Sequence, residues 1–217
     1  MPPAPRFTVI VVHYQEVNPH PIFMRGINSI LSQTYKDFEV LVYHDGPLLD
    51  PTVEFPVPVI CTETRYNDWG HSLRDLGLRR AKGEYILHFN ADNLLYPNAL
   101  EEISKAIDRE PRIYDKKTHR SRDPNDIIVY AIWTHGMQRY GETLVRYGDH
   151  PEYCLLLTGN PPRLHFIDAM QLIMRRELWI AEGGWFDRSV ASDGHMYQMF
   201  AAKYGYRSVE MILGEHF

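Results

Sequence analysis

Cysteine is nearly absent: Cys61 and Cys154 are the two in 217 residues, too few for a disulfide framework and in no CxxC-type metal spacing. Two isolated thiols fit a reducing compartment. Long hydrophobic runs are also missing. The longest early apolar stretch, Val9 to Val12, is strand length and far short of a membrane span. The opening Met-Pro-Pro-Ala-Pro-Arg has neither the charged n-region nor the apolar h-region of a secretory signal. These absences point to a soluble, cytosolic protein. Positive charge is not in excess, since 23 Lys+Arg stand against 28 Asp+Glu for a formal −5. That balance lowers the rank of nucleic-acid and anionic-membrane binding. No GxGxxG or GxxxxGK[ST] follows the first apolar run, which argues against a Rossmann dinucleotide site and a P-loop. No GxSxG elbow marks an α/β-hydrolase.

What is present is an ordinary globular balance, 44% hydrophobic and 24% charged, in a chain long enough to bury about 70% of its unfolded surface. Phe7 to Tyr14 (FTVIVVHY) is β-branched and almost continuously apolar, the pattern of a strand covered on both faces. Phe23 to Ser32 places Phe23, Ile27, Ile30 and Leu31 at helical spacing. Glu39 to Tyr43 and Val57 to Cys61 read as strands, and Gly70 to Ala81 as a helix with Leu73, Leu76 and Leu78 inward. Glu84 to Phe89 is a further strand, and Pro97 to Arg109 a helix with proline near its first turn. This order predicts an α/β fold, a mostly parallel sheet with helices on both faces.

Beyond it, residues 111–125 form a polar, charge-dense loop of the kind that is functional or mobile. Ile127 to Trp133 reads as a buried strand, Glu142 to Tyr147 and Tyr153 to Leu157 as short ones, and Ala169 to Arg175 as another. Arg176 to Ala181 is a short helix, His195 to Tyr204 a longer one, and Tyr206 to Leu213 a last strand. With no repeat, low-complexity segment or linker, a single domain over 1–217 is expected.

In an open parallel sheet, ligands bind beyond the carboxyl ends of the strands. Three such ends carry polar clusters: His13-Tyr14-Gln15-Glu16, His44-Asp45-Gly46 and Asn90-Ala91-Asp92-Asn93. Each alone reads as a turn cap; all three along one edge read as a pocket.

The run from Phe7 to Leu100 resembles the nucleotide-sugar-binding half of a family 2 glycosyltransferase with the GT-A fold. The carrying pieces are VIVVHYQE, SQTYKDFEVLVYHDG and GEYILHFNADNLLYPNAL; AMQLIMRRELWIAEGGWFD, Ser192-Asp193 and a terminal histidine follow more loosely. The resemblance implies a donor-binding half over about 1–100 and an acceptor-binding, catalytic half over about 101–217. It implies an inverting transfer from a nucleotide-diphosphate sugar, most simply a UDP-sugar, to a hydroxyl of a glycan or other acceptor, with Mn²⁺ or Mg²⁺.

By the same resemblance, Asp45 accepts the N3–H of the base beside Tyr14, Val12 offers backbone groups to it, and Trp69 and Gly70 flank the nucleotide. Asn90, Ala91 and Asp92 stand as the DXD-type turn. Asp92 and His216 would hold the metal, and Asp193 would be the general base. The turn departs from the family in carrying Asn90 for its first aspartate, and Ser192 replaces the first acid of the later pair. Each residue has a plainer role: Asp92 or Asp193 as a helix N-cap, Asp45 in an Asp-Gly turn, Trp69 seating its loop, His216 at a frayed end. The alternatives are a nucleotide-sugar-binding protein without turnover and a sugar-1-phosphate nucleotidyltransferase. The latter usually has a Gly-rich, basic loop where this chain has His-Tyr-Gln-Glu.

Overall fold

The computed structural model describes residues 3–109, 113–115, 120–122, 126–140, 143–146 and 153–217. Its elements are β1 (Phe7–His13), α1 (His20–Leu31), β2 (Phe38–His44), β3 (Val59–Cys61), α2 (His71–Arg80), β4 (Tyr85–Asn90), β5 (Leu94–Leu95) and α3 (Ala99–Asp108). There follow β6 (Ile113–Asp115), β7 (Arg120–Arg122), β8 (Ile127–His135), β9 (Met137–Tyr140), β10 (Thr143–Arg146), β11 (Cys154–Leu157), β12 (Leu172–Arg175), α4 (Arg176–Ala181), α5 (Ser192–Tyr204) and β13 (Arg207–His216).

Nine strands form one sheet, ordered β3-β2-β1-β4-β12-β8-β13-β5 with β11 beside β8. The β3-β2-β1-β4 block is parallel throughout. Beyond it β12 runs antiparallel to both β4 and β8, and β13 returns parallel to β8. The alternation of β1 assigns its side chains to two layers. Phe7, Val9 and Val11 pack with Phe23, Ile27 and Ile30 of α1 and Leu100 and Ile103 of α3. Ile10 and Val12 pack with Leu73 of α2, Trp179 of α4 and Met196, Tyr197 and Phe200 of α5. Helices cover both faces, as the continuous apolar runs require.

Several boundaries differ from the sequence reading for local reasons. Helix α1 starts at His20, because Pro21 fits the first turn, where its missing N–H would be unbonded anyway. The stretch expected as one strand from Ala169 splits. Asp168 accepts the Met170 N–H and forms a capping box with Gln171, turning 169–171 into one 3₁₀ turn before β12. Two short antiparallel strands, β6 and β7, lie within the expected 111–125 loop. Of the strand read over 142–147, β10 is observed, and its outer residues lie outside the described ones. Strand β13 runs on through Gly214 and Glu215, pairing with β5, so His216 sits at the end of a strand and is buried. His13, His44 and His71 are also buried.

Candidate active site

The register of the parallel block brings Val12, Asp45 and Asn90 to one edge. Val12 of β1 stands beside Tyr43 of β2 and Asn90 of β4. Its carbonyl accepts the Ala91 N–H at 3.1 Å, while the Asp45 N–H donates to the His13 carbonyl at 2.9 Å. Gly26 of α1 lets the Asn90–Asp92 turn approach closely, since a Cβ there would lie 2.1 Å from the Ala91 carbonyl oxygen.

Asp45 is buried at this edge. Its Oδ1 accepts the Tyr66 N–H at 2.8 Å and its Oδ2 the Asn67 N–H at 3.0 Å, with Arg65 Nε 3.7 Å away. The carboxylate therefore pins the loop leading to α2, and each oxygen keeps a second lone pair for a ligand donor. Tyr14 lies beneath the Arg65 guanidinium, 3.7 Å from its ring centroid, and its hydroxyl donates to Glu16 at 2.9 Å. In the loop pinned by Asp45, Trp69 is 70% exposed and has φ +60°, followed by Gly70 at +78°. A non-glycine residue rarely adopts such a backbone. Here the Trp69 carbonyl is held by Arg74 Nη1 at 2.8 Å, and a Cβ on Gly70 would lie 2.9 Å from that same nitrogen.

Asn90 accepts a hydrogen bond from Arg74 Nη2 at 2.7 Å. Two residues on, Asp92 has a buried Oδ1 with no hydrogen-bond partner. Burial raises its pKa above the usual carboxylate range; nearby His216 opposes this and Asp168 adds to it. His216 in turn places Nδ1 3.4 Å from Asp168 Oδ2. The orphaned carboxylate oxygen beside an imidazole fits a divalent cation. Among the described residues no three His, Cys, Asp or Glu side chains converge as a complete metal cage. Mg²⁺-type ions commonly take one or two carboxylates, with water and phosphate oxygens completing the shell.

Asp193 lies in the first turn of α5, half-buried, its Oδ1 accepting the Gly194 N–H at 2.7 Å. Burial and the charge of Asp168 push its pKa up to about 7, against the pull of the Gly194 N–H and Arg74. A carboxyl titrating there is poised to take a proton near neutral pH. Ser192 accepts the Trp185 indole N–H at 3.1 Å inside a buried niche, where an acid would be desolvated. Asp187 is engaged otherwise, accepting the Ser189 N–H and lying 2.9 Å from His195 Nδ1.

Two residues of this cluster escaped the sequence reading, Asp168 and Arg74. Asp168 links the His216 and Asp193 sides of the site; Arg74 lies under the Asn90 turn. A separate cleft of about 510 Å³, lined by Arg6, Lys82, Gly83, Arg175 and Arg176 among others, lies elsewhere and shares no residue with the cluster.

The Glycosyl transferase family 2 profile matches residues 8–176. An uncharacterised glycosyltransferase of Rickettsia typhi is 30% identical over 132 residues, covering 59% of this chain and 36% of that protein. The poly(ribitol-phosphate) β-N-acetylglucosaminyltransferase TarP of Staphylococcus aureus is 31% identical over 87 residues, 36% of this chain and 27% of that protein. This chain spans 19% to 41% of the length of its Rickettsia relatives. Among solved structures, S. aureus TarS in complex with UDP superposes with a TM-score of 0.62 at 17% identity, over 97% of this chain and 60% of that one. The mannosyltransferase PcManGT of Pyrobaculum calidifontis, in complex with GDP-Man and Mn²⁺, gives 0.63 at 18% identity, over 98% and 56%. At these identities the structural likeness speaks for the fold, which is that of the GT-A glycosyltransferases, while the profile covers most of the chain. The chain belongs to glycosyl transferase family 2.

Proposed function

We propose that this chain transfers a sugar from a nucleotide-diphosphate donor, with UDP as the nucleotide, to an acceptor hydroxyl, inverting the anomeric carbon. The observation that carries this reading is the position of Asp193. It is half-buried at the start of α5, with a pKa raised to about 7, in the same acidic group as Asp168 and the metal-type carboxylate Asp92. In the step we envisage, Asp193 takes the acceptor proton as that oxygen bonds to the anomeric carbon. The bond to the leaving diphosphate breaks on the opposite face. Asp92 and His216 would hold a divalent cation, Mn²⁺ or Mg²⁺, which when bound neutralises charge on the leaving diphosphate.

Val12, Tyr14 and Asp45 would seat the base, while Trp69, Gly70, Asn90 and Ala91 would border the rest of the donor. Residues 1–100 would thus serve the donor and 101–217 the acceptor. The solved neighbours support a nucleotide-sugar donor, being described in complex with UDP, UDP-GlcNAc and GDP-Man. UDP release from a panel of UDP-sugars, with and without glycan acceptors, tests the reading. Acceptor-dependent release that Asp193→Asn abolishes without loss of UDP affinity supports it. A chain that neither binds UDP nor releases it from any donor overturns it.

A further inference from the structure

Arg74 is 3% exposed, yet its hydrogen-bond acceptors are both neutral. Nη2 donates to the Asn90 side-chain oxygen and Nη1 to the Trp69 carbonyl. Its guanidinium lies 4.7 Å over the Trp185 ring, and its Nε is buried with no hydrogen-bond partner. Among the described residues no carboxylate forms an ion pair with it; Asp193, Asp168 and Asp68 act on it only through space. Burial lowers its pKa, as it must for a cation removed from water. A buried charge is normally paired, because an unpaired one is costly to desolvate. The residue that would pair it is easily named. An aspartate at position 90, isosteric with asparagine, would place a carboxylate oxygen where the amide oxygen now stands, 2.7 Å from Nη2. With Asn90 instead, the turn that carries Asp92 and the guanidinium beneath it are together one unit less negative than with a two-aspartate turn.

We propose that Arg74, left without a carboxylate partner by Asn90, supplies part of the positive charge that holds the donor diphosphate, giving donor binding a metal-independent component. The inference rests on the donor reading above. The Arg74 charge acts through the low-dielectric interior, where a unit charge several ångströms from an anion changes affinity by about tenfold even after partial screening. Gly70 permits this placement, since its Cβ would fall 2.9 Å from Nη1. A purely structural Arg74, tying the Trp69 loop to the Asn90 turn, would need the hydrogen bonds but not the surplus charge. Asn90→Asp separates these roles, for it keeps the bond and cancels the charge.

The experiment is calorimetric titration of UDP into wild type, Asn90→Asp and Arg74→Gln, each in EDTA and in Mn²⁺, with circular dichroism melts to confirm folding. Wild type should bind UDP measurably in EDTA and more tightly in Mn²⁺. Asn90→Asp should melt no lower than wild type, lose about tenfold in UDP affinity in EDTA, and show a larger gain from Mn²⁺. Arg74→Gln, if folded, should lose affinity in EDTA similarly. If UDP affinity of Asn90→Asp in EDTA stays within twofold of wild type, the inference is wrong. It is also wrong if wild type binds UDP in Mn²⁺ but not in EDTA, an outcome that leaves the donor reading standing. Absence of UDP binding by wild type in both conditions overturns the donor reading and this inference with it.

Discussion

Replacing Asp193 with asparagine keeps the side chain's shape and deletes its proton chemistry, so stability and turnover should move in opposite directions. In the folded chain, burial and the Asp168 charge hold the Asp193 pKa at about 7, against an ordinary 3.8. A raised pKa leaves the fold unpenalised below the unfolded value and destabilises it as pH climbs, because the unfolded carboxyl ionises first. The window is therefore about pH 4 to 7, with the full cost present above it. Three pH units at about 1.36 kcal/mol each give about 4 kcal/mol as an upper bound. The group is only half-buried, and solvent access brings this to about 2 kcal/mol. For a chain of this length, 2 kcal/mol is about 4–8 °C in Tm. Asp193→Asn should thus melt several degrees higher than wild type at pH 8 and at nearly the same temperature at pH 4. Its turnover should fall by about 10²–10⁴-fold, with UDP affinity unchanged. Scanning calorimetry at the two pH values, UDP titration and a UDP-release assay check the three parts. An unchanged Tm at pH 8 refutes the electrostatics, and turnover within tenfold of wild type removes Asp193 from the role of base.

Three further outcomes follow from the same geometry. Asp168→Asn removes one cause of the raised Asp193 pKa, so the acidic limb of the pH–rate profile should shift to lower pH; an unmoved limb would show that Asp168 does not act on the base. Asp92→Asn should abolish the gain in UDP affinity from Mn²⁺, and His216→Ala should reduce it less; equal wild-type affinity in EDTA and Mn²⁺ would remove the metal from the site. Burial, with the neighbouring His44, lowers the His13 pKa to about 3, so the neutral ring stabilises the fold above pH 6.5 and that stability drains away as pH falls toward 3. Tm of wild type should drop steeply across that window, and His13→Phe, which suits the adjoining Phe23 and Phe55 rings, should flatten the profile.

The parts of this structure that the sequence announces are those whose signal is local. The apolar runs of β1 and β4 declare buried strands, and the polar residues just past them fall at one edge because parallel strands share a direction. Asp168 announces nothing, because its place beside His216 depends on β12 and β13 folding back together from opposite sides of β8. Arg74 sits in a run (LRDLGLRR) that reads as a solvated helix face. Its burial follows from Trp185, which the α4–α5 connection lays across it. Strand β5, two residues long, has no period to detect; it exists because Leu94 and Leu95 pair with β13. That pairing accompanies the extension of β13 to His216, which the sequence alone leaves at a chain end.

On the proposed function, the edge formed by Asp92, Asp168, Asp193 and His216 is where a nucleotide-diphosphate sugar and its cation bind. The most direct test is a crystal grown with UDP and Mn²⁺ and measured at the manganese absorption edge. An anomalous peak is expected beside Asp92 and His216, with the UDP base beside Asp45 and Tyr14. Manganese and UDP bound elsewhere on the chain, or UDP seated at this edge with no metal on Asp92, would contradict it.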